Sequence, residues 1–320
     1  MIIRLFKHWT VVIILVLLSQ NAWTQDIGSG LDFLNISPST NLLGIAEAQT
    51  ATLAGPASIY SNPALLAFEN RSGLDLAYTL WIANVRNQFA AINMPRNRSS
   101  LAFSVYNSRS DEFFARDQPG PPAGTLSISY LSLASGWAYR VGPISAGVTL
   151  QYLREEIFQF RANGYSLSFG TAASFSQDRI RIGAAVLNLG EMQALDEIAT
   201  LLPSAFRMGL NADIIEISTP GYNDLPILIS LHADYQQPIE DSPSSDFIET
   251  NRREAFYNLG LSAELAELFT LRSGYKFGPT ERPFSLGAEI SLDPINIHYA
   301  MIPFSTGFGT VHSIGLQYYF

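Results

Sequence analysis

Cysteine is absent from the 320 residues, charged residues make up only 15%, and no stretch beyond the N-terminus is a long apolar run. The first absence excludes a disulfide-stapled domain and any Cys-ligated zinc or iron–sulfur site. The scarcity of charge argues against an ordinary soluble domain, in which about a quarter of residues are charged. The third absence excludes a helical membrane protein, whose spans need about 20 consecutive apolar residues. What the chain does have is apolar surface: 47% hydrophobic and 12% aromatic residues. That is enough for burial to offset the entropy of ordering, so disorder is excluded as well. A chain that is apolar overall yet lacks apolar runs has the composition of a membrane β-barrel, in which half of each strand faces lipid and half faces the lumen.

The two ends fit this class. Arg4 and Lys7 precede an apolar core from Trp9 to Leu18, followed by Ala22-Trp23-Thr24 before Gln25. Residues 1–25 therefore read as a secretory signal, too short to span a bilayer. Without Arg4 and Lys7 the formal charge moves from −9 to −11, a balance that excludes nucleic-acid binding through phosphate neutralisation. At the other end Ile314, Leu316, Tyr318 and Phe320 alternate with Ser313, Gly315 and Gln317. This is a strand with one apolar face, ending on an aromatic residue.

Between the ends, period-two alternation predicts strands near 74–80, 86–94, 99–107, 125–140, 144–154, 163–175, 179–187, 203–215, 225–235, 254–265, 268–276, 284–292, 295–303 and 310–320. Fourteen is an even number, as an up-and-down barrel requires when both termini lie on one side. Connections after even-numbered strands are mostly short, as at Val141 to Pro143 and Asp293-Pro294, with Glu216 to Asp224 a somewhat long exception. Those after odd-numbered strands include the long ones, Ser108 to Gly124, Asn188 to Leu202 and Gln236 to Arg253. Short periplasmic turns and long outer loops are the expectation, with both termini periplasmic.

A soluble β-sandwich would also alternate, but its solvent face would carry many Lys and Glu. Here the polar face is Ser, Gly, Asn and Gln with isolated charges: Arg181, Arg207, Asp213, Glu264, Arg272, Lys276 and Glu289. All share the parity opposite the apolar face. An Arg or Lys facing lipid at mid-bilayer costs about 2–4 kcal/mol, so these seven are expected to point into the lumen. Small residues beside them predict a crowded, narrow or plugged interior.

Residues 26–73 do not alternate. They are small and semi-apolar, with an Ala-rich stretch around Gly44-Ile45-Ala46-Glu47-Ala48 and a second segment Tyr60-Ser61-Asn62-Pro63-Ala64-Leu65-Leu66-Ala67. Asn62-Pro63 marks a turn. This segment is expected to fold into the mouth of a barrel spanning 74–320, as a small, partly helical plug.

Catalytic and cofactor signatures are missing. No G-x-S-x-G, G-x-x-x-x-G-K-[ST], H-E-x-x-H or G-x-G-x-x-G pattern occurs, so neither an enzyme activity nor a cofactor or metal is expected. His232, His298 and His312 are widely separated and read as wall residues. Glu155-Glu156 reads as a solvated pair in an outer loop, with Phe158 and Phe160 beside it. Phe113-Phe114 with Arg116-Asp117, in the long loop before residue 125, is a candidate docking patch for a partner protein, since exposed aromatics and Arg often anchor interfaces.

Several of these segments together resemble the PorV/PorQ family of outer-membrane proteins, within the wider FadL-like barrels. The resemblance lies in Leu43-Gly44-Ile45-Ala46-Glu47-Ala48, in Tyr60 through Ala67, and in Phe114 through Thr125. It continues in Val186-Leu187-Asn188-Leu189-Gly190, Leu202-Pro203 through Leu210, and the closing residues Pro303-Phe304 and His312 through Leu316. It implies a plug motif at Gly44, Tyr60, Asn62, Pro63 and Ala64, and a C-terminal barrel-assembly signal in Leu316, Tyr318 and Phe320. It also implies an accessory role in type IX-like protein export or surface attachment, with outer-membrane lipid, the barrel-assembly machinery, a secretion translocon and cargo C-terminal domains as partners. Relatives in the wider FadL group pass hydrophobic small molecules instead. A sealed lumen with apolar loop tips would favour export, and an enclosed apolar pocket beside residues 42–67 would favour a conduit.

Overall fold

The computed structural model describes residues 31–110, 113–115, 124–194, 199–217, 226–239 and 254–320; the expected signal sequence lies outside them. Fourteen strands form the wall: β1 (Gly73–Leu80), β2 (Arg86–Arg96), β3 (Ser99–Arg109), β4 (Ile128–Val141), β5 (Ile144–Ile157), β6 (Phe160–Phe175) and β7 (Ile180–Ala194). They continue with β8 (Ala205–Ile217), β9 (Ile227–Pro238), β10 (Phe256–Leu265), β11 (Phe269–Phe277), β12 (Phe284–Leu292), β13 (Ile295–Pro303) and β14 (Thr310–Tyr319). Each pairs antiparallel with its sequence neighbours, and β1 closes on β14 from Gly73↔Tyr319 to Leu80↔His312. The fold is a closed, all-β outer-membrane barrel, and among the described residues the other sheet is a two-stranded ribbon of three residues a side.

Alternation decides which way each side chain points. On β8, Arg207 is 3% exposed and its neighbour Met208 51%. All seven charged residues of the polar parity turn inward, Arg181, Arg207, Lys276 and Glu289 being buried and Asp213, Glu264 and Arg272 partly so. The outer surface is a belt of Leu, Ile, Val and aromatics, among them Leu133, Phe103 and Leu271. Ring pairs mark both rims: Trp137 with Tyr139 near the end where β1 starts and β14 finishes, Tyr235 with Tyr257 and Tyr275 with Phe277 toward the other. Aromatic girdles of this kind sit at the two interfaces of a bilayer.

One expectation about the loops is corrected. Glu155, Glu156 and Phe160 do not lie in an outer loop, because β5 runs on to Ile157 and β6 starts at Phe160; Phe158 alone of the four sits in the connection. Glu155 is buried, and Glu156 pairs with Arg161 at 2.5 Å. The connection between the strands is a two-residue turn.

The chain before β1 lies inside the cylinder as short helical turns, Asp32–Asn35, Thr40–Leu43, Gly55–Ala57, Ser58–Ser61 and Pro63–Phe68. Nearly every residue from Leu31 to Phe68 is buried or partly so. The wall accommodates this backbone through glycines on its inner face. At Gly147 a Cβ would stand 2.5 Å from the Pro63 carbonyl carbon, and at Gly274 2.3 Å from that of Ile45. The crowded interior read from the small residues of the inner parity is therefore backbone lying directly on backbone.

Candidate functional site

Three groups of contacts define the lumen. The first centres on Glu47, which lies in the segment with a left-handed φ of 61°. Its carboxylate accepts from Lys276 of β11, from Arg282 Nη1 at 3.0 Å and from the Ser37 N–H at 3.0 Å. Burial alone would raise the Glu47 carboxyl. The Arg282 and Lys276 charges, with the hydrogen bonds from Lys276 and Ser37, overcome this and hold it well below the ordinary value of 4.5. Asn258 Nδ2 donates to the Glu47 carbonyl at 3.1 Å, so backbone and side chain are both tied to the wall.

The second group centres on Asp234 of β9. Its oxygens accept from the Gln49 N–H at 3.1 Å, the Thr50 N–H at 3.0 and 3.1 Å, and the Thr50 hydroxyl at 2.6 Å. Two successive backbone amides and a hydroxyl thus converge on one carboxylate, a charge-assisted arrangement stronger than neutral pairing. Arg207 on β8 lies in the field of Asp234 and Glu47, yet its Nε and Nη1 are buried without a hydrogen-bond partner.

The third group is aromatic. Phe33, Tyr60, Phe89, Tyr106 and Tyr130 meet ring to ring with centroids 5.2–6.0 Å apart. Between this group and Arg207 is a cavity bounded by Leu34, Ser37, Tyr60, Asn188, Arg207 and Gln236 among others. It is small, with room for roughly one water. The barrel is closed, and this cavity is not the ligand-sized pocket that a conduit was expected to show.

Asn188 and its neighbours mark a discontinuity in the wall. β7 pairs with β8 only as far as Leu187↔Ala205, then continues beside β6 and the short strand Ala199–Leu201. The register with β6 shifts between Leu167 and Phe169. The displaced Asn188 (φ 58°) receives its ties from side chains: its N–H donates to Ser168 Oγ at 3.0 Å, and Ser204 Oγ donates to its carbonyl at 2.8 Å. Bulges of this type re-aim side chains and end pairing near functional sites.

The residues singled out by motif fall as follows. Gly44 meets Gly287 of β12, where a Cβ would come within 2.9 Å of the opposing Cα. Tyr60 hydrogen-bonds Ser132 Oγ through its hydroxyl at 2.8 Å. Asn62 donates to the carbonyls of Thr50 at 2.8 Å and Thr171 at 3.0 Å, while its Oδ1 accepts from Ala64 N–H and caps the turn that Pro63 begins. These five are therefore within the lumen, Asn62 joining both halves of the segment to β6. Leu316, Tyr318 and Phe320 share the outer face of β14, the last two stacked with centroids 5.9 Å apart. Phe113 and Phe114 belong to a short ribbon in which Phe113–Ala115 pairs with Gly124–Leu126; Arg116 and Asp117 lie outside the described residues. His232 and His298 are buried on the inner face, and His312 faces outward against the Tyr299 hydroxyl. Among the described residues no cluster suited to a metal is present. Composition and alternation did not single out Phe33, Asp234 or the Glu47 ion pairs.

No family model matches the chain, and no curated relative does. Solved structures of the same fold do. The toluene transporter TbuX of Ralstonia pickettii superposes with a TM-score of 0.55 at 15% identity, covering 87% of this chain and 98% of that one. The toluene transporter TodX of Pseudomonas putida gives 0.57 at 11% identity, covering 88% and 97%. At such identities the likeness establishes the fold: this chain is built as those two barrels are.

Proposed function

We propose that this chain is a non-catalytic outer-membrane conduit for hydrophobic small molecules, closed in the present state by its own N-terminal segment acting as a plug. The observation that carries the reading is the aromatic group inside the barrel, where Phe89, Tyr106 and Tyr130 turn inward and Tyr60 extends the group to the small cavity that Asn188 also bounds. An apolar lining within a cylinder whose inner parity is otherwise small and polar offers a path for a molecule that water excludes. The shared fold with two toluene transporters supports the same reading. Most of the short turns and both ends of the wall lie on one side, the two-residue turn at 158–159 being on the other, which fits a periplasmic face at the first side and outer loops at the long connections.

The export role implied by the PorV/PorQ resemblance ranks second. Its docking residues Arg116 and Asp117 are outside the described residues, and the fold comparison favours the conduit. The test is flux: purified full-length protein in liposomes should speed equilibration of toluene over protein-free vesicles and leave a sugar of similar size unaffected. Equal rates with and without protein, together with stoichiometric recovery of secretion-machinery chains from native membranes, would reverse the ranking.

A further inference from the structure

Arg207 is a buried cation with no hydrogen-bonded counter-charge among the described residues. It is 3% exposed on β8, and its Nε and Nη1 have no partner. The other two cations of this region each have a carboxylate: Lys276 and Arg282 both donate to Glu47. Asp234, whose field also reaches Arg207, gives its oxygens to the Gln49 and Thr50 amides and the Thr50 hydroxyl. Lys276, Arg282 and Arg207 thus share one region with Glu47 and Asp234, three cations against two carboxylates, so the region carries one positive charge in excess. A buried charge is costly unless a counter-charge accompanies it.

The void beside Arg207 has the matching chemistry. Ser37, Gln49, Gln236 and Arg207 bound the same small cavity, which has room for roughly one water. Ser37 Oγ, like Arg207 Nε and Nη1, is buried without a hydrogen-bond partner, while the Ser37 N–H already donates to Glu47 Oε1 at 3.0 Å. Two unpartnered donors, one from the N-terminal segment and one from the wall, therefore border one space. Gln49 and Gln236 carry amide NH2 groups that can turn toward it. A water there would accept two hydrogen bonds and leave the excess charge in place. A monovalent anion accepts from every donor and removes that excess, and charge-assisted bonds of this kind are the stronger ones. A halide is close to water in size, whereas sulfate and acetate are too large for the space.

We propose that a single halide ion, chloride under ordinary conditions, binds between Arg207 and Ser37 and latches residues 34–38 to β8. Ser37 then holds two negative charges at once, Glu47 through its N–H and the ion through its hydroxyl. Because segment and wall each supply half of the site, it exists only while the segment is docked. The ion therefore stabilises the docked state by mass action, as any ligand does that binds one state alone. The site concerns how the segment is anchored, and it holds whether or not the barrel conducts hydrophobic molecules.

The test is amide exchange of the full-length protein in detergent, with chloride raised from nil against gluconate at constant ionic strength. Protection of residues 34–37 should grow with chloride, by about tenfold where chloride stands at roughly ten times its dissociation constant. Bromide should act alike, and sulfate should leave protection where gluconate does. Arg207→Gln should abolish the response, and Ser37→Ala should raise several-fold the chloride needed for a given protection. If Arg207→Gln does not assemble, as judged by heat-modifiable gel migration, Ser37→Ala decides, and an unchanged chloride dependence in it overturns the site. A crystal grown in bromide should show an anomalous peak between Arg207 and Ser37. Exchange that ignores chloride means an ordered water or, beside a bromide peak, an adventitious ion only, and either overturns the latch. A chloride response that survives Arg207→Gln, or that comes without a bromide peak in the cavity, is a general salt effect and overturns it as well.

Discussion

Glu47 and Lys276, 229 residues apart in sequence, form an ion pair inside the barrel that fastens the N-terminal segment to β11, with Arg282 as a second cation on the same carboxylate. The pair is nearly free of solvent, the side chains being 2% and 7% exposed. Removing one partner from such a group leaves an uncompensated charge. Glu47→Gln should therefore loosen the segment by about 3–5 kcal/mol, read as faster amide exchange over residues 44–52 while the strands stay protected. Glu47→Gln combined with Lys276→Met should recover part of that loss, since one stranded charge is then removed.

The same carboxylate sets a pH dependence. Its pKa in the docked state lies below the ordinary 4.5, so it binds protons less readily docked than free. The stabilisation is then complete above about pH 4.5 and is lost as pH falls through the lowered value. Exchange protection of residues 44–52 should be flat from pH 7 to 5 and decline in more acidic buffer. Glu47→Gln should flatten this profile; a decline of equal size in the variant would point to another group.

The glycines of the inner wall make a steric prediction. A Cβ at Gly274 would lie 2.3 Å from the Ile45 carbonyl carbon and 2.4 Å from the Ala46 nitrogen, both backbone atoms that no rotamer change can move. Gly274→Ala should cost about 3 kcal/mol, the upper part of the usual range for overpacking, by pushing residues 44–46 off the wall. Protease access to the segment should rise, and the barrel itself should still migrate as assembled.

The wall was legible because its physics is local. Lipid on one side and a small-polar lumen on the other impose period two, and a charge such as Arg207 between Phe206 and Met208 has only one tolerable direction. The turns were legible at Gly142-Pro143 and Asp293-Pro294 for the same reason. The interior was legible only as crowding. Glu47 lies in a stretch with no period, and its charged partners Lys276 and Arg282 are more than 200 residues away, so no spacing relates them. Phe89, Tyr106 and Tyr130 did carry a signal, large rings on the inner parity of three successive strands. Glu155 and Glu156 were misplaced because acidic pairs are commoner in loops, whereas here one is buried inside the strand and the other pairs across the turn.

Asp234 supplies the sharpest test of how the segment is held. Its two oxygens take two backbone N–H groups and one hydroxyl, and its charge offsets Arg207, whose Nε and Nη1 already lack partners. Asp234→Asn keeps the shape but replaces one acceptor by a donor facing the Gln49 and Thr50 amides, and it removes the charge opposite Arg207. A lost charge-assisted hydrogen bond and a buried unpaired guanidinium each cost a few kcal/mol, so the combined loss should be about 3–5 kcal/mol. Asp234→Asn paired with Arg207→Gln should restore part of this, because the stranded charge goes with it. A double-mutant cycle on segment protection measures the coupling. A cycle that closes with no interaction energy would show that Arg207 does not depend on Asp234, and that the clamp on Gln49 and Thr50 acts alone.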